Sequence, residues 1–406
     1  MYQMRQWIAA AEAELNREFT LERLLDLTAA SGPTAEPGPE DAEPGLAAEP
    51  FPNAQPRPSA EPVPNAQPRP SAAPVPTHHA LAWEQARARA RDSAGQPLPL
   101  VTRDLDAALG HALAGPLTAL TALTAPTGLT DVPPAGSVPA PPRHQEGRTG
   151  GEVLLPAGTV VTPVVLGLAA AAGHDRLAVH RRPRVELLLL GEESPPSGPP
   201  RADRAPDVIG PLLHPWLTRH GAEVIDRRRV QEDTARLRDA LRDSTADVVV
   251  AAGGTAAGPV DPLRTALGGS GARLLVDSVA VRPGHPMLLA ELPSSLDGRP
   301  RFLVGLPGDP QAAVAGAVTL AVPLLRRLGG HADPEPYRMY AAVDLPGHPH
   351  DTRLLPVRRV AHGAAPLACD GPAKLLGLAV ADGLAVVPPG GAPAGTDVEV
   401  LEVPGP

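Results

Sequence analysis

Apolar residues recur at helical spacing from the start of the chain: Met4, Trp7, Ile8, Ala11 and Leu15, then Leu21, Leu24, Leu25 and Leu27. They predict a helical leader over residues 1–31. The periodicity vanishes between 32 and 80 and resumes in 83–95, a predicted helix closed by Gly95. Residues 101–120 place Leu105, Ala108, Leu109, Ala112 and Leu113 on one face of a further predicted helix, ended by Pro116. From 121 to 147 the pattern is loop-like, rich in Pro, Thr and Gly. Beyond Gly151 it changes character. Thr162-Pro163 is an N-cap followed by a proline in the first turn, and Gly173 closes the helix it opens. Residues 185–190 (VELLLL) form a nearly continuous apolar run, as expected of a strand buried on both faces. A helix through Leu212, Leu213, Trp216 and Leu217 ends at Gly221. Strand 223–225, helix 233–242 and strand 247–251 complete two crossover units. Strand 302–305 then precedes a long helix that starts at Asp309-Pro310 and stops at Gly329-Gly330. After Tyr337 come short alternating runs and Gly/Pro turns, including 384–387 and 398–403.

Strands alternating with helices in this way predict an α/β fold, a mostly parallel sheet with helices on both faces, followed by a small C-terminal all-β domain. The expected division is a leader (1–31), a Pro-rich linker (32–80), a helical and linking region (81–180), an α/β domain (181–335) and the β domain (336–406). Within the linker PNAQPRPSAEPV (52–63) is followed by PNAQPRPSAAPV (64–75), a duplication whose prolines favour an extended, disordered spacer.

Composition narrows the classes. There are 54 prolines and 40 glycines, and all but one of the 36 basic residues are arginine; Lys374 is the exception. We read this bias as codon usage. With three residues each of Trp, Tyr and Phe, the core must be built from Leu, Val and Ala. A net charge of −9 argues against a general nucleic-acid binder, and the single Cys369 excludes an intrachain disulfide or a cysteine-rich metal site. No uninterrupted apolar run has the length of a membrane span, and charges scattered through residues 1–31 argue against a signal peptide. A cytoplasmic protein is expected.

Four loops carry candidate chemistry. AAGGTAAGPVD (251–261) follows a buried strand, so its glycines allow backbone N–H groups close to an anion, with Asp261 at the mouth as a cation ligand. The alternative is a tight strand-to-helix turn. VRPGHP (281–286) and VGLPGDP (304–310) place Pro-Gly turns at strand ends, as rigid ligand-contacting loops or plain turns. LLGEES (189–194) puts Glu192 and Glu193 after a buried strand, and Glu232-Asp233 forms a second acidic pair for which helix capping by Asp233 is the alternative. Gathered at strand ends, these features suggest a polyanion held with a divalent cation, and oxygen ligands suit magnesium better than zinc. The arginine clusters Arg181-Arg182 and Arg227 to Arg229 are expected to be solvated.

The order and spacing of these pieces resemble the molybdopterin molybdotransferase family of molybdenum-cofactor biosynthesis. Residues 150–173 are similar to its GeDi…ltp…lglLa…G segment, and RRPRVELLLLGEE (181–193) to rrPrVa…sTGdEL. VQEDTARLRDAL (230–241) is similar to v.DD…lr..l, GGTAAGPVD to GGvSvGdyD, and VRPGHP and GLPGDP to iKPGKP and GLPGNP. The resemblance implies binding of adenylylated molybdopterin, hydrolysis of the adenylate and insertion of molybdate with Mg²⁺. It implies that Glu193, Asp233 and Asp261 are metal- or molybdate-site acids and that Gly253, Gly254 and Thr255 hold the pterin. Arg282, His285, Pro307 and Pro310 would line the molybdate pocket. It also implies a homodimer, or a heterodimer with a full-length family member. The chain departs from the pattern where S-aMDGYAv should follow Leu120. Residues 121–150 stand in place of a whole β-rich domain, and Asp131 is the acid available to substitute for that motif's. Ser278 replaces a family lysine. The competing expectation is therefore a non-catalytic, molybdopterin-binding paralogue or partner subunit.

Overall fold

Leu188 and Leu190 point to one side of a sheet while Leu187 and Leu189 point to the other, and all four are buried. That two-sided burial organises the chain. The computed structural model describes residues 80–120, 151–191, 207–253, 261–294, 298–367 and 374–403, all within one unit, Ala72–Pro406. The expected leader helices, the Pro-rich linker, Glu192, Glu193, Gly254, Thr255, Asp131 and Cys369 lie outside the described residues.

The central sheet has six strands: β1 (Arg184–Leu190), β2 (Glu223–Val230), β3 (Val248–Ala252), β4 (Arg273–Val276), β5 (Leu288–Leu292) and β6 (Arg301–Leu306). Their order is β2-β1-β3-β6-β5-β4; the first four are parallel, and β5 and β4 add antiparallel. Alternate residues feed two cores. Leu187, Val250, Phe302 and Val304 pack towards α1 (Trp83–Ser93), while Leu188, Val249 and Leu303 pack on the opposite face. After α2 (Pro163–Ala171), α3 (Ile209–Arg219) joins the first core through Leu213, Trp216 and Leu217. α4 (Thr234–Asp243) and α5 (Pro262–Gly268) cover the second face. Each fully buried Leu or Phe contributes roughly 1.5–3 kcal/mol over its exposed state, so the strand ends form a rigid edge.

The long helix α6 (Pro310–Leu328) completes the first face. It is long and apolar enough to cross a membrane, but 72% of its most apolar window is buried inside the protein. A π-turn, Ala317–Ala321, interrupts it just before Pro323. Proline has no N–H to give, and its ring crowds the carbonyl four residues back; a widened turn relieves both. In that turn Thr319 donates to the Ala315 carbonyl at 2.6 Å and accepts from the Trp83 indole at 3.1 Å, which docks α1.

The C-terminal part is a β sheet that carries one short helix, α7 (Lys374–Val380), before the strand Gly383–Val387. Its seven-stranded sheet also takes in two strands from earlier in the chain. Leu81–Ala82 pairs in parallel with Val279–Arg282, which pairs in parallel with Thr352–Val360.

Two expectations need correction. Residues 101–120 are not a helix: Leu100–Asp104 is a strand antiparallel to Arg176–His180, followed by a 3₁₀ turn at Leu105–Ala108. Leu105, Ala108 and Leu113 share a small core with Val161, Leu177 and Val179, so tertiary pairing overrides the helical spacing. The arginines are not simply solvated. Arg181 forms a two-pronged ion pair with Asp247 at 2.8 Å, and Arg182 donates to the carbonyls of Thr218, Gly221 and Ala222. Arg228 holds the buried Glu186 at 2.7 Å, and that arginine stretch extends β2 well past residue 225.

Candidate functional site at the strand ends

Four parallel strands end on one edge, at Leu190, Val230, Ala252 and Leu306, with Leu190 opposite Val230 and Leu306 opposite Ala252. The loops that leave them touch. Gly191 N–H donates to the Val230 carbonyl at 3.1 Å, and Gly253 N–H to the Leu306 carbonyl at 3.0 Å. Gly253 has φ +101°, and a Cβ there would lie 2.9 Å from the Leu190 carbonyl oxygen. A Cβ on Gly308 would sit 3.5 Å from the Gly253 Cα. Gly253 is thus required by close backbone approach, and together with Gly308 it leaves a floor without side chains. Gly253→Ala is expected to cost about 1–3 kcal/mol, the usual range for a residue forced into such a conformation. Urea unfolding checks that value, and a neutral result would mean that the loops are not in contact.

Two of the candidate acids, Asp233 and Asp261, cap helices, and so does Asp309. The exposed Asp233 accepts from Ala235 N–H at 3.0 Å and Arg236 N–H at 2.9 Å at the start of α4. Asp309 accepts from Ala312 N–H at 2.9 Å at the start of α6. Asp261, 7% exposed, caps α5 by accepting from Leu263 N–H at 2.8 Å and Arg264 N–H at 3.2 Å. Its second oxygen accepts from the Arg264 guanidinium. Arg264 also donates to Asp277 at 2.7 Å and to the Pro286 carbonyl at 3.4 Å. Burial disfavours this cation, but hydrogen bonds to Asp277 and then Asp261 outweigh it and hold its pKa above the ordinary arginine value. One arginine therefore ties the glycine loop to the VRPGHP turn.

That turn meets the start of α6 as well. A Cβ on Gly284 (φ +106°) would lie 3.2 Å from the Ala312 carbonyl in the first turn of α6, where Pro310 is the first helical residue. Arg282 donates to Asp351 at 2.7 Å. His285 has a buried Nδ1 with no hydrogen-bond partner among the described residues. The structure thus brings Gly253, Asp261, His285, Pro307 and Pro310 into one run of touching loops. Asp233 stands at the same edge beyond β2, and Arg282 is turned to the C-terminal sheet.

Magnesium commonly binds through one or two carboxylates plus phosphate oxygens. Asp233 is exposed at a strand end and caps with one oxygen, whereas both oxygens of Asp261 accept hydrogen bonds. Among the described residues no three His, Cys, Asp or Glu side chains are grouped to hold a metal. A cavity of about 500 Å³ lies elsewhere, between α1, α6 and residues 333–337, and contains none of the candidate residues.

Sequence reasoning missed Arg264, Asp277 and the role of Lys374. The Lys374 ammonium lies 3.3 Å from Asp309, delivered by α7. Its signal in the sequence is its rarity, one lysine among 36 basic residues.

These loops lie within a region that matches a known family. Residues 186–327 match the family described as "Probable molybdopterin binding domain", and residues 338–403 match "MoeA C-terminal region (domain IV)". The chain is 31% identical over 185 residues to the molybdopterin molybdenumtransferase of Nostoc sp. (strain PCC 7120), a match spanning 45% of this chain and 42% of that relative. It is 29% identical over 291 residues to molybdopterin molybdenumtransferase 2 of Mycobacterium tuberculosis (strain H37Rv), covering 63% of this chain and 70% of that one. The chain thus spans less than half the length of the Nostoc relative. In fold it is similar to the molybdopterin biosynthesis moeA protein from Pyrococcus horikoshii, with a TM-score of 0.62 at 19% identity over 80% of this chain and 99% of that structure. Through these two matched regions the chain is similar to molybdopterin molybdenumtransferases, carrying a region like the probable molybdopterin binding domain followed by one like the MoeA C-terminal region.

Proposed function

We propose that this chain acts in molybdenum-cofactor biosynthesis by binding adenylylated molybdopterin at the carboxyl edge of the central sheet and inserting molybdate. The observation that carries the reading is the contact of the Gly253, Pro307 and VRPGHP loops within the region matched to the molybdopterin-binding family. The Gly253 and Gly308 backbone would seat the pterin side of the ligand, together with Gly254 and Thr255. His285, Pro307 and Pro310 would border the oxyanion, joined by Arg282 only on release from Asp351. Water would cleave the pyrophosphate link and release AMP, and molybdate would exchange oxo groups, lost as water, for two thiolate sulfurs. Mg²⁺ would neutralise phosphate charge, held by Glu193 and Asp233 rather than by Asp261. We place the reaction in the cytoplasm, in a homodimer or paired with a full-length family member.

A second reading has its own support. Asp261 is committed to Arg264 and to its cap, and residues 121–150 carry no match to the family's acidic motif. Both features favour a subunit that binds molybdopterin without transforming it. Calorimetric titration with adenylylated molybdopterin and Mg²⁺, followed by molybdate and an AMP assay, separates the two. We expect binding followed by AMP release. Binding without release would select the partner subunit, and no binding to the intact chain would remove both readings.

A further inference from the structure

We propose that Lys374 is a ligand-binding residue of this cleft, an ammonium that exchanges its contact with Asp309 for an oxyanion of the bound pterin phosphate. This rests on the reading of the strand-end cleft given above.

The first support is position. α7 leaves the C-terminal sheet and buries Leu378 in the core that also holds Ala313 and Val314 of α6. That anchorage fixes the start of α7 beside the loop between β6 and α6, four residues before Leu378. A segment of the C-terminal region thereby supplies a cation to an edge built by the central sheet.

The second support is the state of the cation. Lys374 lies 3.3 Å from one oxygen of Asp309, whose other oxygen caps α6. Its side chain is 38% exposed and that of Asp309 41%. An exposed pair of this length is weak and exchanges readily. An ammonium has three donors, so this contact leaves two for a ligand. Arg264 and Arg282, by contrast, are already held by Asp261, Asp277 and Asp351.

The third support is chemical. Every other basic residue of the chain is arginine, whose planar fork suits fixed pairs such as Arg181 with Asp247. Lys374 offers instead a compact charge on a flexible stem, able to leave Asp309 and reach over the bare floor at Gly253 and Gly308. Asp309 is then the gatekeeper of the exchange, because its carboxylate competes with the incoming anion for the same ammonium.

The lone lysine makes the test direct. Acylation with an amine-reactive ester can modify only Lys374 and the chain's terminal amine, and peptide mass spectrometry counts each. Adenylylated molybdopterin should protect Lys374 in the intact protein and leave the terminal amine unprotected. In calorimetry Lys374→Gln should weaken binding by about tenfold or more, the usual consequence of losing one charge-assisted hydrogen bond. Asp309→Asn, which keeps a capping side chain, should tighten it several-fold. Wild-type binding with Lys374 fully reactive, and K374Q at wild-type affinity, would overturn this inference and leave the proposed function standing. Failure of the wild type to bind would overturn both. A lowered melting temperature in K374Q with no change in affinity would make Lys374 a structural latch.

Discussion

Between pH 7 and pH 5 the folded chain should lose about 2 kcal/mol of stability for each of two buried histidines, His220 and His331. Both have their pKa lowered to about 4 from an ordinary 6.5. Desolvation is the first cause in each case, followed by the positive charge of Arg326. Their surroundings offer a proton no compensation. His220 Nε2, both ring nitrogens of His331 and the neighbouring Arg326 Nε are buried without a hydrogen-bond partner among the described residues. His331 is pinned between helix ends, where a Cβ on Gly221 would lie 2.6 Å from its Nε2 and one on Gly329 2.8 Å from its Cδ2. Because these folded-state pKa values are depressed, the unfolded chain binds protons first as pH falls. The stabilisation is whole above about 6.5 and is lost progressively towards 4. Urea unfolding at the two pH values measures the loss. His220→Phe, which keeps the edge-on packing against Trp216 at 5.3 Å, should remove about half of it. A pH dependence unchanged in that variant would show that other groups are responsible.

Arg264→Gln should be costly for stability and worse for binding. It strands Asp261, 7% exposed, without its cation, removes the donation to Asp277 and cuts the link to the Pro286 carbonyl. Removing one partner of a buried pair typically costs about 3–5 kcal/mol. With the Arg264 side chain 30% exposed, the lower end, about 3 kcal/mol, is expected. Asp261→Asn on the same background should recover part of the stability, since Asn still caps α5 and no longer carries an unpaired charge. If ligand affinity were as high in R264Q as in the wild type, the VRPGHP and glycine loops would not need this tie to form the cleft.

The sequence disclosed what depends on short-range pattern. VELLLL announced a strand buried on both faces, and Asp309-Pro310 and Thr162-Pro163 announced helix starts, since cap and proline act within one turn. The gathering of glycine and proline loops at one edge followed from parallel connectivity. What stayed hidden depends on distant partners. Nothing local in Arg181 points to Asp247, 66 residues away, and nothing in Arg227 to Arg229 reveals an edge strand whose polar face is paired with Glu186 and Asp207. Asp261 read as a free carboxylate because the donation from Arg264, three residues on, exists only once α5 has formed. α7 is invisible in the sequence because seven residues, KLLGLAV, are too few to show a period.

The pairing of Leu81–Ala82 with Val279–Arg282, and of that strand with Thr352–Val360, sets the timetable of synthesis. A ribosome making this chain releases the first of these strands nearly 200 residues before its neighbour. The neighbour waits in turn another 71 residues, from Val281 to Thr352, for its own partner. Such non-local closure slows folding and leaves unpaired strand edges exposed meanwhile. The nascent protein therefore has to be kept from aggregating until Thr352–Val360 has emerged.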